Sequence, residues 1–230
     1  TYTLGITLTG IANGSETLTV TPVANSIYDA NGNAASPTQS NNTATLLDGR
    51  TAIITTLDHD PSLAFENSII RIHPDTYLLA YKGSGGYLKT FTITADGSAV
   101  TQVASYNHSN SNTSYMYQND LLQIDADAYI LAYSGYDATT SWGQHIKTFK
   151  VKPDGSSVVQ IGHLEHDANY GSNDYSDLVR VDHDTYALAY YGYDGGGDNV
   201  NGGWIKTFTV NGGSITQVAK LRHSTSTTSY

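Results

Sequence analysis

Four histidines, His59, His108, His166 and His223, each stand at the end of the same recurring segment. Imidazoles in register are the first groups in this chain that could do chemistry. A ring of them would suggest a metal site, but equivalent positions in successive repeats stand too far apart for ligands that must sit about 2 Å from one ion. The structural alternative is a repeated hydrogen bond that pins a loop inside each repeat. A second candidate is the glycine-rich run from Tyr193 to Asn199, where Asp194, Asp198 and Asn199 offer the oxygen ligands that calcium takes from a flexible loop. The spacing is not that of an EF-hand, the first repeat has Lys82 to Gly86 there with no carboxylate, and a solvated turn is the competing reading. Asp29, Asn31 and Asn33 form a similar set, with an Asx turn as its alternative. A third group is aromatic: Tyr136, Tyr170, Tyr191 and Tyr193 with Trp142 and Trp204. Such side chains stack their apolar faces on sugar rings or on other apolar partners. They are the expected ligand-binding residues, with packing of the loops themselves as the alternative.

Signals for catalysis are poor. The chain has no Gly-x-Ser-x-Gly elbow, no His-Glu-x-x-His and no phosphate-cradling glycine loop. It has no cysteine, which removes disulfides, thiol nucleophiles and cysteine-ligated zinc. The formal net charge of -10 opposes nucleic acid as a partner, because phosphate binding needs a basic surface. The excess of carboxylate suits solubility or divalent cations. No apolar run is long enough to span a membrane as a helix.

These groups must be held by β structure. The chain is only 14% charged and rich in Thr, Ser, Gly, Asn and Tyr, a composition of short strands and turns. The segment Asp75-Thr76-Tyr77-Leu78-Leu79-Ala80-Tyr81 returns as Asp127-Ala128-Tyr129-Ile130-Leu131-Ala132-Tyr133 and as Asp184-Thr185-Tyr186-Ala187-Leu188-Ala189-Tyr190. The aligned tyrosines Tyr77, Tyr129 and Tyr186 are 52 and 57 residues apart. Each copy is followed by an aliphatic residue and Lys-Thr-Phe, ending at Phe91, Phe149 and Phe208. Each unit reads as four strands: a (67–72, 119–124, 177–181), b (the Tyr-x-Leu-Ala-Tyr segment), c (the Lys-Thr-Phe segment) and d (99–106, 157–164, 214–221). Tight turns join c to d at Asp96-Gly97, Asp154-Gly155 and Asn211-Gly212, where glycine provides the positive φ.

Four antiparallel strands in a unit of about 55 residues resemble a β-propeller blade. Neither a Trp-Asp signature nor a kelch glycine pair is present, so the resemblance is to propellers in general; a β-solenoid, with shorter coils and parallel strands, is the competitor. Residues 51–59 align with strand d and place a lone fourth strand before the first blade. Residues 1–49 resemble the C-terminal part of the Ig-like domains found in tandem on large bacterial surface proteins: Asp29, Gly32 and Asn33 match the turn, and Asn41 to Leu46 the closing strand. The expected fold is therefore all-β, a partial Ig-like β-sandwich followed by four-stranded antiparallel blades of an incomplete β-propeller. The expected division is 1–49 as the end of an Ig-like spacer and 50–230 as repeats, with strand d at 51–59 and blades at about 64–108, 117–166 and 175–223. Three blades are fewer than the four to eight of a closed ring, so the chain is expected to be cut from something longer or completed by other copies. No signal peptide is visible at its start.

A meander puts the d-to-a and b-to-c loops at one end of every blade, and the long Tyr/Asp/Asn-rich loops all fall there. That end is the expected binding face. The resemblance implies a large extracellular or cell-surface adhesin that works without catalysis, in adhesion, ligand display or extracellular assembly. Its expected partners are carbohydrate or another surface protein, with calcium as the one candidate cofactor and self-association through open sheet edges. Two rivals stand beside it. One is a propeller glycosidase or lyase using Asp120 and Asp177 at the start of the channel-lining strand. The other is a structural subunit of an extracellular filament or sheath.

Overall fold

The computed structural model describes residues 17–21, 23–36, 38, 43–45, 53–109, 116–138, 141–168, 176–193 and 201–224. The chain divides into two compact units, Thr1–Ile54 and Thr55–Tyr230.

In the first unit, β1 (Thr17–Thr19) pairs antiparallel with β2 (Thr43–Thr45). A tight turn between them is closed by a bridge from Tyr28 to Ala34. Asp29 organises it: one carboxylate oxygen accepts the amides of Asn31 at 2.8 Å and Asn33 at 2.9 Å, and the other accepts the Asn33 side-chain amide at 2.9 Å. Gly32 takes φ +85°, a left-handed conformation that glycine tolerates. This is the Asx turn that sequence offered as the alternative to calcium, and the Asn33 side chain leads the groups that hold the Asp29 carboxyl below its usual range. The described residues of this unit extend no further into a sandwich.

The second unit is three four-stranded antiparallel sheets in a row, each a meander in chain order. The first comprises β3 (Phe65–His73), β4 (Thr76–Lys82), β5 (Gly86–Ile93) and β6 (Val100–Asn107). The second comprises β7 (Met116–Gln123), β8 (Ala128–Asp137), β9 (Ser141–Val151) and β10 (Val158–Asp167). The third comprises β11 (Ser176–Arg180), β12 (Thr185–Tyr193), β13 (Asn201–Asn211) and β14 (Ser214–Ser224). Their architecture is that of propeller-like blades. Residues 53–58, read as a fourth strand, carry no ladder hydrogen bond among the described residues. A strand needs a partner edge, and among the described residues none stands beside this segment.

The middle sheet is apolar on both faces, because both are covered by neighbours. Leu78, Ala80 and Leu88 on one face of the first sheet pack with Leu121, Tyr129, Leu131, Tyr133, Phe149 and Val151 of the second. The opposite face of the second sheet, through Ile130, Ala132 and Ile146, packs with Leu178, Tyr186, Leu188, Tyr190, Trp204, Phe208 and Val210 of the third. The repeated tyrosines Tyr129 and Tyr186 are thus sheet-to-sheet packing, as their recurrence inside strand b suggested. The first strands of successive sheets lie against one another, β3 against β7 and β7 against β11. Their starts are stitched by side chains: the Asn119 amide donates to Glu66 O at 2.9 Å, and Ser176 N donates to Gln118 Oε1 at 3.2 Å. Glu66 and Gln118 hold equivalent bulges with φ of 52° and 54°, strained for residues with a Cβ.

Candidate functional site

The recurring histidines do not pin loops within their own sheets. They join each sheet to the one before it. The carbonyl oxygen of His59 accepts the Lys89 ammonium, that of His108 accepts Lys147, and that of His166 accepts Lys206 at 2.8 Å. Each imidazole meets a tyrosine ring edge-on, His59 with Tyr81, His108 with Tyr133 and His166 with Tyr190, at centroid distances of 4.7, 4.8 and 5.2 Å. Each also meets the phenylalanine of Lys-Thr-Phe: Phe91, Phe149 and Phe208. The lysine lies within 6 Å of the same tyrosine ring in all three, a cation–π arrangement. A carboxylate completes each set by accepting the tyrosine hydroxyl: Asp60 at 3.1 Å, Asp137 at 2.9 Å and Asp167 at 3.4 Å.

Burial dictates the protonation of this cluster. Desolvation depresses His108 and His166 well below the usual imidazole range and keeps them neutral, and the adjacent lysine ammonium adds to the effect. Tyr133 is raised by burial and by Asp137. Lys147 and Asp137 form an ion pair with no solvent exposure on either side chain, and burial lowers Lys147 while Asp137 opposes the shift. Such a pair persists only when its remaining hydrogen-bonding capacity is met, here by Tyr133 and the His108 carbonyl. A further pair is peculiar to the second sheet: His163 Nε2 lies 3.2 Å from His145 Nδ1, and His145 Nε2 lies 3.2 Å from Gly135 O. Burial, and then His163, lower His145 to about 4.

The loop end expected to bind ligand is assembled as a shared surface. Ser109, in the loop after β6, accepts the Gly86 amide on its hydroxyl at 2.9 Å, and its carbonyl accepts Ala138 N at 3.0 Å. The loops of the first and second sheets therefore meet at this end. Across the same junction Lys82 Nζ sits 4.3 Å from the centroid of the Tyr117 ring, and Tyr117 meets Trp142 edge-on at 6.1 Å. Trp142 is half-buried and faces Tyr136 across the β8–β9 ladder, where Tyr136 is 36% exposed. A cation and three aromatic rings at one edge can stack on a planar or pyranose face and donate to a hydroxyl or an anion.

Of the six aromatic candidates, Tyr136 and Trp142 are brought together. Tyr117 and Lys82 join them; both lie outside the Tyr-Asp-Gly loops that drew attention to the others. Trp204 is core: it packs between the second and third sheets, and its indole N–H donates to Gly192 O at 3.2 Å. Tyr191 is half-buried on β12, opposite Gly203. Tyr193 ends β12, while Tyr170, Asp194, Asp198 and Asn199 lie outside the described residues. Among the described residues no group of three or more His, Cys, Asp or Glu side chains is placed to hold a metal ion.

Asp120 and Asp177 both lie at the inner strands. Asp120 accepts the Leu178 amide across the junction, and burial raises its carboxyl, with Asp177 adding to the rise; Asp177 itself is exposed. At the opposite, turn end a shallow cleft between the second and third sheets is lined by Asp125, Asp127, Lys150, His183 and Asp184, with Lys150 paired to Asp127 at 3.2 Å. Among the described residues no helix is long and apolar enough to cross a membrane.

No protein-family model matches the chain, and no curated protein does. Among solved structures, the chain is similar to a protein from Lactobacillus plantarum whose crystal structure was determined as a structural-genomics target. The two are 13% identical with a TM-score of 0.47, and the match covers 84% of this chain and 49% of that one, so the chain spans about half of the solved protein's length.

Proposed function

We propose that this chain is part of a non-catalytic extracellular surface protein whose stacked sheets, blades of an incomplete β-propeller, hold the loop end rigid for adhesion or ligand display. The observation that carries this reading is the Lys82, Tyr117, Trp142 and Tyr136 cluster at the junction of two sheets. Elsewhere the recurring lysines, histidines and tyrosines are consumed in joining sheet to sheet, whereas this group faces the loops. Its chemistry suits a sugar ring stacked on an aromatic face. Residues 1–49 are read as the closing part of an Ig-like spacer on the strength of the Asp29, Gly32 and Asn33 turn, and Asp194, Asp198 and Asn199 as a calcium loop beside the binding face. The reading is tested by screening the 230-residue chain against immobilised glycans with and without calcium.

One observation favours a second reading, a polysaccharide hydrolase or lyase. Asp120 is a carboxyl raised by burial with a second carboxylate, Asp177, close enough to raise it further. That is the asymmetry a general acid and its partner need. Against it stands the Leu178 amide, which already occupies one Asp120 oxygen.

A further inference from the structure

The two junctions within the chain define what a sheet needs on each face, and among the described residues the outer sheets lack it on one side. On the face turned toward the following sheet, Leu88 of β5 and Ile146 of β9 are 0% exposed. The equivalent residue of β13, Ile205, is 37% exposed. Along and just after the first strands, Ile70 and Leu122 pack into a junction, and so do Ile72 and Ile124, whereas their counterparts Val179 on β11 and Val181 just after it are exposed. Tyr106 and Leu164 pack in the same way, and Leu221 of β14 is 63% exposed. Polar groups repeat the pattern. Thr90 Oγ1 donates to Gly155 O of the next sheet at 2.7 Å and Thr148 Oγ1 donates to Gly212 O at 3.4 Å, while Thr207 is half-exposed with no such turn against it among the described residues. His223, the fourth histidine, is exposed.

The complementary half of the junction is open on the first sheet. Leu121 and Leu178, on the face turned toward the preceding sheet, are each 2% exposed, while their counterpart Ile69 is 56% exposed. Tyr77 and Ile93 are half-exposed where Tyr129, Tyr186, Val151 and Val210 are buried. The upper part of this face is already covered, since His59 fills the place between Tyr81 and Phe91.

We propose that the outer face of the third sheet is a docking surface for the first sheet of a second copy of this chain, head to tail, continuing the interface that joins the sheets within one chain. Val179, Val181 and Ile205 of one copy meet Ile69, Tyr77 and Ile93 of the other. The contact is carried by the inner and middle strands rather than by His223, because the pocket that would take that histidine holds the second copy's own His59. An interface of this kind is heterologous: it closes into a ring or extends as a filament, according to the rotation between copies. The inference is independent of what the loop end binds.

The test is sedimentation velocity of the 230-residue chain over a range of concentrations. The expected result is a mass that rises from one chain to two or more. Val181→Asp and Ile205→Asp on one face, and Ile69→Asp on the other, each weaken the association about tenfold or more. Val159→Asp, at an exposed position of β10, leaves it unchanged and shows that an added surface charge is not itself the cause. Mixing Ile205→Asp with Ile69→Asp restores a dimer that grows no further, since one good copy of each face remains. A single-chain mass at every concentration overturns the proposal. So does association that the Val181, Ile205 and Ile69 variants leave intact. Retained circular dichroism in each variant separates loss of docking from loss of fold.

Discussion

The Lys206 ammonium, buried on the third sheet, donates to the main-chain carbonyl of His166 at 2.8 Å, at the end of the second. Lys89 and Lys147 make the same bond to His59 and His108. A residue that recurs in every repeat is thus spent on the carbonyl of a residue in the preceding one, so each repeat is completed by its neighbour. That is the logic of arrays whose stability is a sum of unit and interface terms.

The buried lysines can be removed one at a time. Lys147→Met strands Asp137 without its counter-charge, at an expected cost of about 3–5 kcal/mol. Lys206→Met removes the charged hydrogen bond to the His166 carbonyl, at a cost of at least about 1.5–3 kcal/mol. The double variant Lys147→Met with Asp137→Leu should recover much of the first loss. Urea unfolding of the four proteins measures all of this.

Acid should loosen the stack before it reaches the carboxylates. His108, His166, His145 and His163 all have folded values depressed from 6.5, so the unfolded chain takes up protons first. Their contribution is fully present above about pH 6.5 and is lost as pH falls toward the folded values, about 4 for His145. Glu165 and Asp120 are raised by burial and act in the opposite sense, favouring the folded state as pH falls toward their ordinary values of 4.5 and 3.8. The expected outcome is a denaturation midpoint that falls between pH 6.5 and 4, with a shallower fall in His166→Phe. A midpoint flat across that range contradicts neutral buried histidines.

Two glycines in equivalent turns should respond differently. Gly155 has φ +73° and its missing Cβ would lie 3.0 Å from Thr90 Cβ of the preceding sheet, whereas Gly212, at φ +58°, has open space. Gly212→Ala carries only backbone strain, about 1 kcal/mol, and Gly155→Ala adds a clash at the junction. Thermal melting of both variants should rank Gly155→Ala as the more damaging.

Asp120 distinguishes the two functional readings. In Asp120→Asn the side-chain oxygen can still accept the Leu178 amide, so stability should change by less than about 1 kcal/mol, whereas Asp120→Ala leaves that amide unpaired and costs about 1–3 kcal/mol. If the chain turned over a polysaccharide and Asp120→Asn abolished it, the non-catalytic reading would fail.

The repeats were legible because their signals are local. Recurrence of Tyr-x-Leu-Ala-Tyr marks the second strands, and Asp-Gly or Asn-Gly marks the turns before the fourth, which run Val100–Asn107, Val158–Asp167 and Ser214–Ser224. The meander also placed the loops at one end, as Ser109 between Gly86 and Ala138 bears out. What sequence missed lies between repeats. The histidines and Lys-Thr-Phe were each visible as recurrences, but nothing local says that His108 belongs under Tyr133 rather than beside its own β6. The signal is that each histidine ends the same recurring segment, with His59 ending a copy that precedes the first repeat. Trp204, which sequence puts in or beside the loop face, pairs across the ladder with Tyr190 and is core.

The most direct test of the proposed function compares the intact chain with Trp142→Ala and Tyr136→Ala on one glycan array, with and without calcium. The account expects saturable binding to a defined sugar, lost in both variants and retained in Tyr191→Ala. A blank array for the intact chain in both conditions, or binding that survives Trp142→Ala, would contradict a ligand site built on the Lys82, Tyr117 and Trp142 cluster.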